Sequence, residues 1–203
     1  MHRIALLGAF VGRGKERQVG EICAAQGAFY TLAAPATGTA ASEVLQVLGI
    51  GEISRTLVLS LVPEPLLPHL RQEIRDRLFM TQPGQGILFT VPLSGINARS
   101  ARWLSRGTEG KAVERSEPPM AEANFELILA LTNGGCSDEV MAAARLAGAT
   151  GGTLLHARML GSQEADRFLG IQLQKEKELV AILAKGEYKV PIMQTIAEKA
   201  GLQ

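Results

Sequence analysis

Gly38-Thr39-Ala40-Ala41-Ser42-Glu43-Val44-Leu45-Gln46-Val47-Leu48-Gly49-Ile50 is the stretch from which the fold can be read. It returns in altered form as Gly161-Ser162-Gln163-Glu164-Ala165-Asp166-Arg167-Phe168-Leu169-Gly170-Ile171. Glu43 and Glu164, Leu48 and Leu169, Gly49 and Gly170, and Ile50 and Ile171 each lie 121 positions apart. The spacing persists outside the segment, where Leu6-Leu7 falls on Leu127-Ile128 and Ala25-Gln26-Gly27-Ala28 falls on Leu146-Ala147-Gly148-Ala149. Leu57-Val58-Leu59-Ser60-Leu61-Val62 then matches Leu179-Val180-Ala181-Ile182-Leu183-Ala184 at 122, so one residue has been inserted between the two blocks. A period this long describes two copies of a domain, not a solenoid of short repeats.

The elements on either side of the repeated connection follow from periodicity and punctuation. Residues 4–11 form a short apolar run ended by a Gly-Arg-Gly turn, the pattern of a buried strand. Residues 15–26 place Val19, Ile22, Cys23 and Gln26 at helical spacing, with Gly27 as the terminating glycine. A second strand is expected over 28–34, stopped by Pro35. In the connection 37–54, Ser42 would cap a helical turn over 43–48. Residues 56–62 are a third strand, and a helix opened by Pro63-Glu64-Pro65 runs to about 79. The turn 82–86 leads into a fourth strand over 87–93.

Strand, helix, strand, strand, helix, strand is the split βαβ order of the ferredoxin-like fold. The second copy repeats it with strands at 125–132, 152–158 and 178–184 and helices at 137–147 and 188–200, and its fourth strand would fall beyond residue 203. The expected class is α+β, two tandem ferredoxin-like (βαββαβ) domains, the second lacking its last strand. The domains are placed at 1–96 and 123–203. Between them, residues 97–122 carry Arg, Ser, Gly, Glu and Pro118-Pro119 and read as a linker, on which Trp103 and Leu104 are the large apolar residues.

Composition narrows the function. With 21 Lys and Arg against 20 Asp and Glu, and 4% aromatic residues, the chain has neither the basic stripe nor the stacking surface of a nucleic-acid binder. No run of about 18 apolar residues occurs, so no membrane span is expected. Residues 4–11 imitate a short signal peptide, but Gly12-Arg13-Gly14-Lys15-Glu16-Arg17 follows without a small-residue cleavage site and the run recurs at 125–131. Cys23 and Cys136 do not correspond under the repeat, which fits free thiols and a cytoplasmic protein. The third strand is apolar on both faces, so the sheet face away from the helices needs cover from the other copy or from other chains, and a homo-oligomer is expected.

Few residues carry chemistry. Gly84-Gln85-Gly86 can offer backbone N–H groups to an anion. Gly12-Arg13-Gly14-Lys15 lacks phosphate-loop spacing and reads as a turn, as does Asn133-Gly134-Gly135-Cys136 in the second copy. Cys136, at a helix start, is a candidate reactive thiol beside a Ser137/Asp138 cap. His2, His69 and His156 have no metal-ligand spacing, and no catalytic triad or carboxylate pair can be assembled. Glu43 and Glu164, acidic in both copies, fit early-helix carboxylates.

Taken together, the two modules, the connection 37–45, the apolar third strand and Gly84-Gln85-Gly86 before the fourth strand resemble a tandem, divergent member of the nitrogen regulatory protein P-II superfamily. In that family the loop between strands two and three, the T-loop, docks on partner proteins, and the B-loop before strand four holds nucleotide phosphates. The resemblance implies a non-catalytic regulator that responds to a small-molecule effector such as ATP, ADP or 2-oxoglutarate and docks on a protein partner. It puts the ligand-binding residues at Thr37, Gly38 and Thr39, at Gly84, Gln85 and Gly86, and at Gly161. The family B-loop carries a lysine beside its glycines, where this chain has Gln85. A metal-handling oligomer resembling the CutA family and an enzyme on the same fold are the alternatives.

Overall fold

The computed structural model describes residues 3–28, 30–38, 53–82, 84–98, 100, 104, 124–160 and 176–200. The chain divides into two compact units, one comprising Met1–Glu114 with Met159–Leu173, the other Arg115–Arg158 with Gln174–Gln203. The linker expected at 97–122 falls mostly outside the described residues, as does Trp103, while Leu104 is buried.

In unit 1 the elements are β1 (Ile4–Gly12), α1 (Glu16–Ala25), β2 (Thr31–Gly38), β3 (Ile53–Pro63), a 3-10 turn (Glu64–Leu66), α2 (Leu67–Arg77) and β4 (Gly86–Pro92). The strands pair antiparallel in the order β4-β1-β3-β2, with Ile4 opposite Pro63, Ala5 opposite Pro92 and Thr31 opposite Ser60. In unit 2 they are β5 (Phe125–Asn133), α3 (Ser137–Leu146), β6 (Thr153–Met159), β7 (Glu176–Lys185), a 3-10 turn (Gly186–Tyr188) and α4 (Lys189–Lys199). Here the order is β6-β7-β5. Both units are ferredoxin-like, and the fourth strand of the second is absent among the described residues.

The repeat is registered to the residue. α1 and α3 begin and end 121 positions apart, and α2 and α4 do so at 122. Ile4 faces Pro63 in unit 1 and Phe125 faces Lys185 in unit 2, while Leu32 faces Leu59 and Thr153 faces Ala181. The extra residue therefore lies between β6 and β7. A one-residue slip inside a strand would send its side chains to the wrong face.

Each helix pair covers one face of its sheet. In unit 1, Leu7, Ala9 and Val11 of β1 and Val58 and Val62 of β3 pack with Val19, Ile22 and Cys23 of α1 and Leu70 and Ile74 of α2. Ile22, Leu70 and Ile74 are at most 1% exposed, each contributing about 1.5–3 kcal/mol by burial. Unit 2 repeats this with Ile128, Ala130, Val140, Ala144, Val180, Ile182, Ile192 and Ile196. Cys23 corresponds to Ala144, which explains why the thiol needs no partner in the other copy: both positions ask only for a small buried side chain.

Alternation sends the remaining strand residues to the opposite face. On unit 1 the Phe89 ring crosses Gly8, where a Cβ would collide with it, and stands 6.0 Å from the ring of Phe10. Leu57, Leu59 and Leu61 are half-buried there, but Ile87 is 63% exposed, and in unit 2 Leu127 and Leu183 are each 61% exposed.

Several boundaries depart from the sequence expectation: β2 begins at Thr31, not at 28, and β3 begins at Ile53, inside the expected connection 37–54. Pro35 does not stop β2, which continues to Gly38 with Pro35 opposite Thr56. The Tyr30 carbonyl accepts from the Leu61 N–H, and antiparallel ladders alternate, so five residues on Pro35 occupies a pair that exchanges no hydrogen bonds. Its missing N–H costs the ladder nothing.

Candidate anion site in unit 1

The strand register gathers three separated segments at one end of the unit 1 sheet. Gly12, closing β1, faces Arg55 near the start of β3, and Val11 faces Gly86 at the start of β4. Lys15 occupies the position before α1 and caps no helix N–H with its own side chain. Its Nζ donates to Gln85 Oε1 at 2.6 Å, and Arg55 Nη2 donates to the Gly84 carbonyl at 2.9 Å. Arg55 also lies along Gly12, its Nη1 3.9 Å from where a Cβ on that glycine would stand.

Two half-buried cations thus straddle the glycine loop, and both of these bonds end on neutral oxygens. Among the described residues neither Lys15 nor Arg55 has a carboxylate within ion-pair distance. The nearby Glu16 carboxylate is buried and accepts from the Gly14 N–H at 2.6 Å, which commits it to the β1–α1 turn. Positive charge left uncompensated beside flexible backbone N–H groups favours an anion.

The loop depends on glycine. Gly84 has φ +78° with open space around it, whereas Gly86 has φ +144° and a Cβ there would meet the Phe10 carbonyl oxygen. Only glycine lets β4 begin this close to β1.

Of the residues expected to bind ligand, Gly84, Gln85 and Gly86 are at this site. Thr37 and Gly38 end β2 opposite Ser54 and Ile53, next to the pair Ala36 and Arg55. Thr39, Gly161, Glu43 and Glu164 lie outside the described residues. Neither Lys15 nor Arg55 stands out in the sequence as a ligand residue. Gly12-Arg13-Gly14-Lys15 is the expected turn, and that turn also delivers the lysine which the loop itself lacks.

The same corner of unit 2 is built differently. Asn133 stands for Gly12, Cys136 for Lys15, Lys177 for Arg55 and Glu178 for Thr56. Lys177 Nζ donates to Asn133 Oδ1 at 2.6 Å, and burial pushes its pKa down. Glu178, 7% exposed, accepts from the Ser137 N–H at 3.0 Å. A further hydrogen bond from the Gly135 backbone is the chief cause holding its carboxyl below the usual range, opposed by desolvation. His156 Nδ1 is 3.9 Å from its other oxygen. The Ser137/Asp138 cap expected at the start of α3 is therefore replaced: Cys136 sits at the cap position without a side-chain cap bond, and the carboxylate arrives from β7. Among the described residues no three His, Cys, Asp or Glu side chains gather closely enough to hold a metal ion.

No protein-family model matches this chain, and no curated protein matches it. Solved structures do resemble it. The divalent ion tolerance protein CutA1 from Ehrlichia chaffeensis is similar over 53% of this chain and 96% of its own, at 12% identity and a TM-score of 0.42. The ligand-free regulatory subunit of aspartate kinase from Thermus thermophilus is similar over 97% of this chain and 93% of its own, at 10% identity and a TM-score of 0.40. No helix among the described residues is long and apolar enough to cross a membrane.

Proposed function

We propose that this chain is a non-catalytic, ligand-sensing regulatory protein of P-II-like type, in which unit 1 takes the phosphates of an adenine nucleotide. The convergence of Lys15 and Arg55 on Gly84-Gln85-Gly86 carries the reading. A phosphate would exchange the bonds to Gln85 Oε1 and the Gly84 carbonyl for charge-assisted bonds, which are roughly twice as strong as neutral ones. Arg55 and its pair Ala36 lie two rungs from the ends of β2 and β3 at Gly38 and Ile53, which puts this cation at the base of the connection between those strands. That connection is the proposed docking element for a protein partner, and the proposed setting is nitrogen regulation in the cytoplasm.

Self-association belongs to the same proposal. Ile87, Leu127 and Leu183 are left exposed on sheet faces, and further copies of the chain would cover them, a gain of about 25 cal/mol per Å² of apolar surface.

Isothermal titration with ATP, ADP, AMP and 2-oxoglutarate tests the ligand, with Lys15→Ala/Arg55→Ala as the control. We expect binding of at least one nucleotide and its loss in the double variant. Absence of heat with all four at millimolar concentration would remove nucleotide sensing. Elemental analysis of the purified protein tests the CutA-like alternative, since stoichiometric metal would favour it.

A further inference from the structure

Resting on the nucleotide reading above, we infer that the two halves have parted in role: unit 1, with its surplus of cations, takes up one phosphate ligand per chain, and the matching corner of unit 2 takes none. The comparison is residue by residue, because the registers of the two units superpose without a gap at this corner.

Three differences point the same way. Cys136 replaces the cation Lys15, so one of the two charges is gone. The surviving cation, Lys177, is buried and spends a short bond on Asn133, whereas the glycine at that place in unit 1 offers Arg55 no side-chain acceptor. Glu178 then puts a carboxylate where unit 1 has Thr56, on the Gly135 and Ser137 backbone. A phosphate arriving there would find the Gly135 and Ser137 N–H groups already taken and a single cation, itself bonded to Asn133.

The carboxylates also change places between the copies. Unit 1 satisfies the N–H of Gly14 with Glu16 from its own helix, and Thr56 is neutral. In unit 2 the residue matching Glu16 is Ser137, and Glu178 from the neighbouring strand takes the corresponding Gly135. Both turns keep one internal carboxylate, and what distinguishes unit 1 is the surplus of cations around it.

Titration of the full chain with ADP, and separately with ATP, reads the stoichiometry directly. We expect saturation at one nucleotide per chain for the unaltered protein and for Lys177→Ala. Gln85→Glu, which sets a carboxylate against Lys15, should weaken binding at least tenfold, and Lys15→Ala/Arg55→Ala should abolish it. Circular dichroism reports whether each variant is folded, and the unaltered protein needs no variant to give its count. Two nucleotides per chain, a single site that survives in Lys15→Ala/Arg55→Ala, or loss of binding in Lys177→Ala would overturn the inference while leaving the regulatory reading standing. No binding by the unaltered protein would overturn both.

Discussion

Replacing Gly86 by alanine is the sharpest test of how the loop and β4 are held. A Cβ at Gly86 would run into the Phe10 carbonyl oxygen and stand 3.1 Å from Met80 Cε, at a φ of +144°. The backbone has to move, and the first rung, Gly86 opposite Val11, moves with it. Holding a non-glycine residue at such an angle costs on the order of 1–3 kcal/mol. Overpacking adds about 1–3 kcal/mol, and a lost ladder bond adds about 1 kcal/mol, so the expected destabilisation is about 3–7 kcal/mol. Gly84→Ala is the matched control, because its φ of +78° is also left-handed but no atom lies within 4 Å of the added Cβ, leaving only about 1–2 kcal/mol. Urea unfolding followed by circular dichroism compares the two. Gly86→Ala should lower the midpoint at least twice as far as Gly84→Ala and should slow ADP binding or remove it. Equal midpoints for the two variants would refute the close approach of β4 to β1.

Four further outcomes follow from the geometry. Burial pushes the Cys23 thiol up to about 11, so the folded state keeps a proton that the unfolded chain gives up from about pH 9 upward; stability should fall by about 1.4 kcal/mol per pH unit across that window, and Cys23→Ala should flatten the slope. In native protein, Cys136 should react with a disulfide reagent while the buried Cys23 waits for unfolding. Backbone hydrogen bonding depresses the Glu178 carboxyl, so its contribution is present above the ordinary carboxylate range and lost as pH falls through the depressed value. Acid titration of stability should therefore be shallower in Glu178→Gln. Leu70→Ala and Ile192→Ala, at equivalent fully buried sites of the two units, should each cost about 2–5 kcal/mol in thermal unfolding.

The fold was legible because the duplication supplies two readings of each element. Gly27 and Gly148, for instance, end equivalent helices at φ +83° and +100°. Where single residues decided, legibility failed. Pro35 looks like a strand terminator until the pairing phase is known, and that phase is set by Tyr30 and Leu61, not by Pro35's neighbours in sequence. The glycine half of the candidate site could be read from Gly84-Gln85-Gly86, since glycines in a row are a local signal. Its charged half could not. Lys15 is 70 positions from Gln85 and Arg55 is 29 from Gly84, and only the β1–β3 and β1–β4 registers bring them to one corner. The Glu178 cap was hidden for the same reason, since a helix start is ordinarily searched for its cap among its own first residues.

The single inserted residue lies between β6 and β7, while the paired strands have kept their register. Drift in size has been absorbed outside the ladders, which makes that connection the natural place to splice in a fluorescent or affinity peptide. A protein so tagged should keep its melting temperature, whereas moving the same graft two residues into β7 should scramble the sheet.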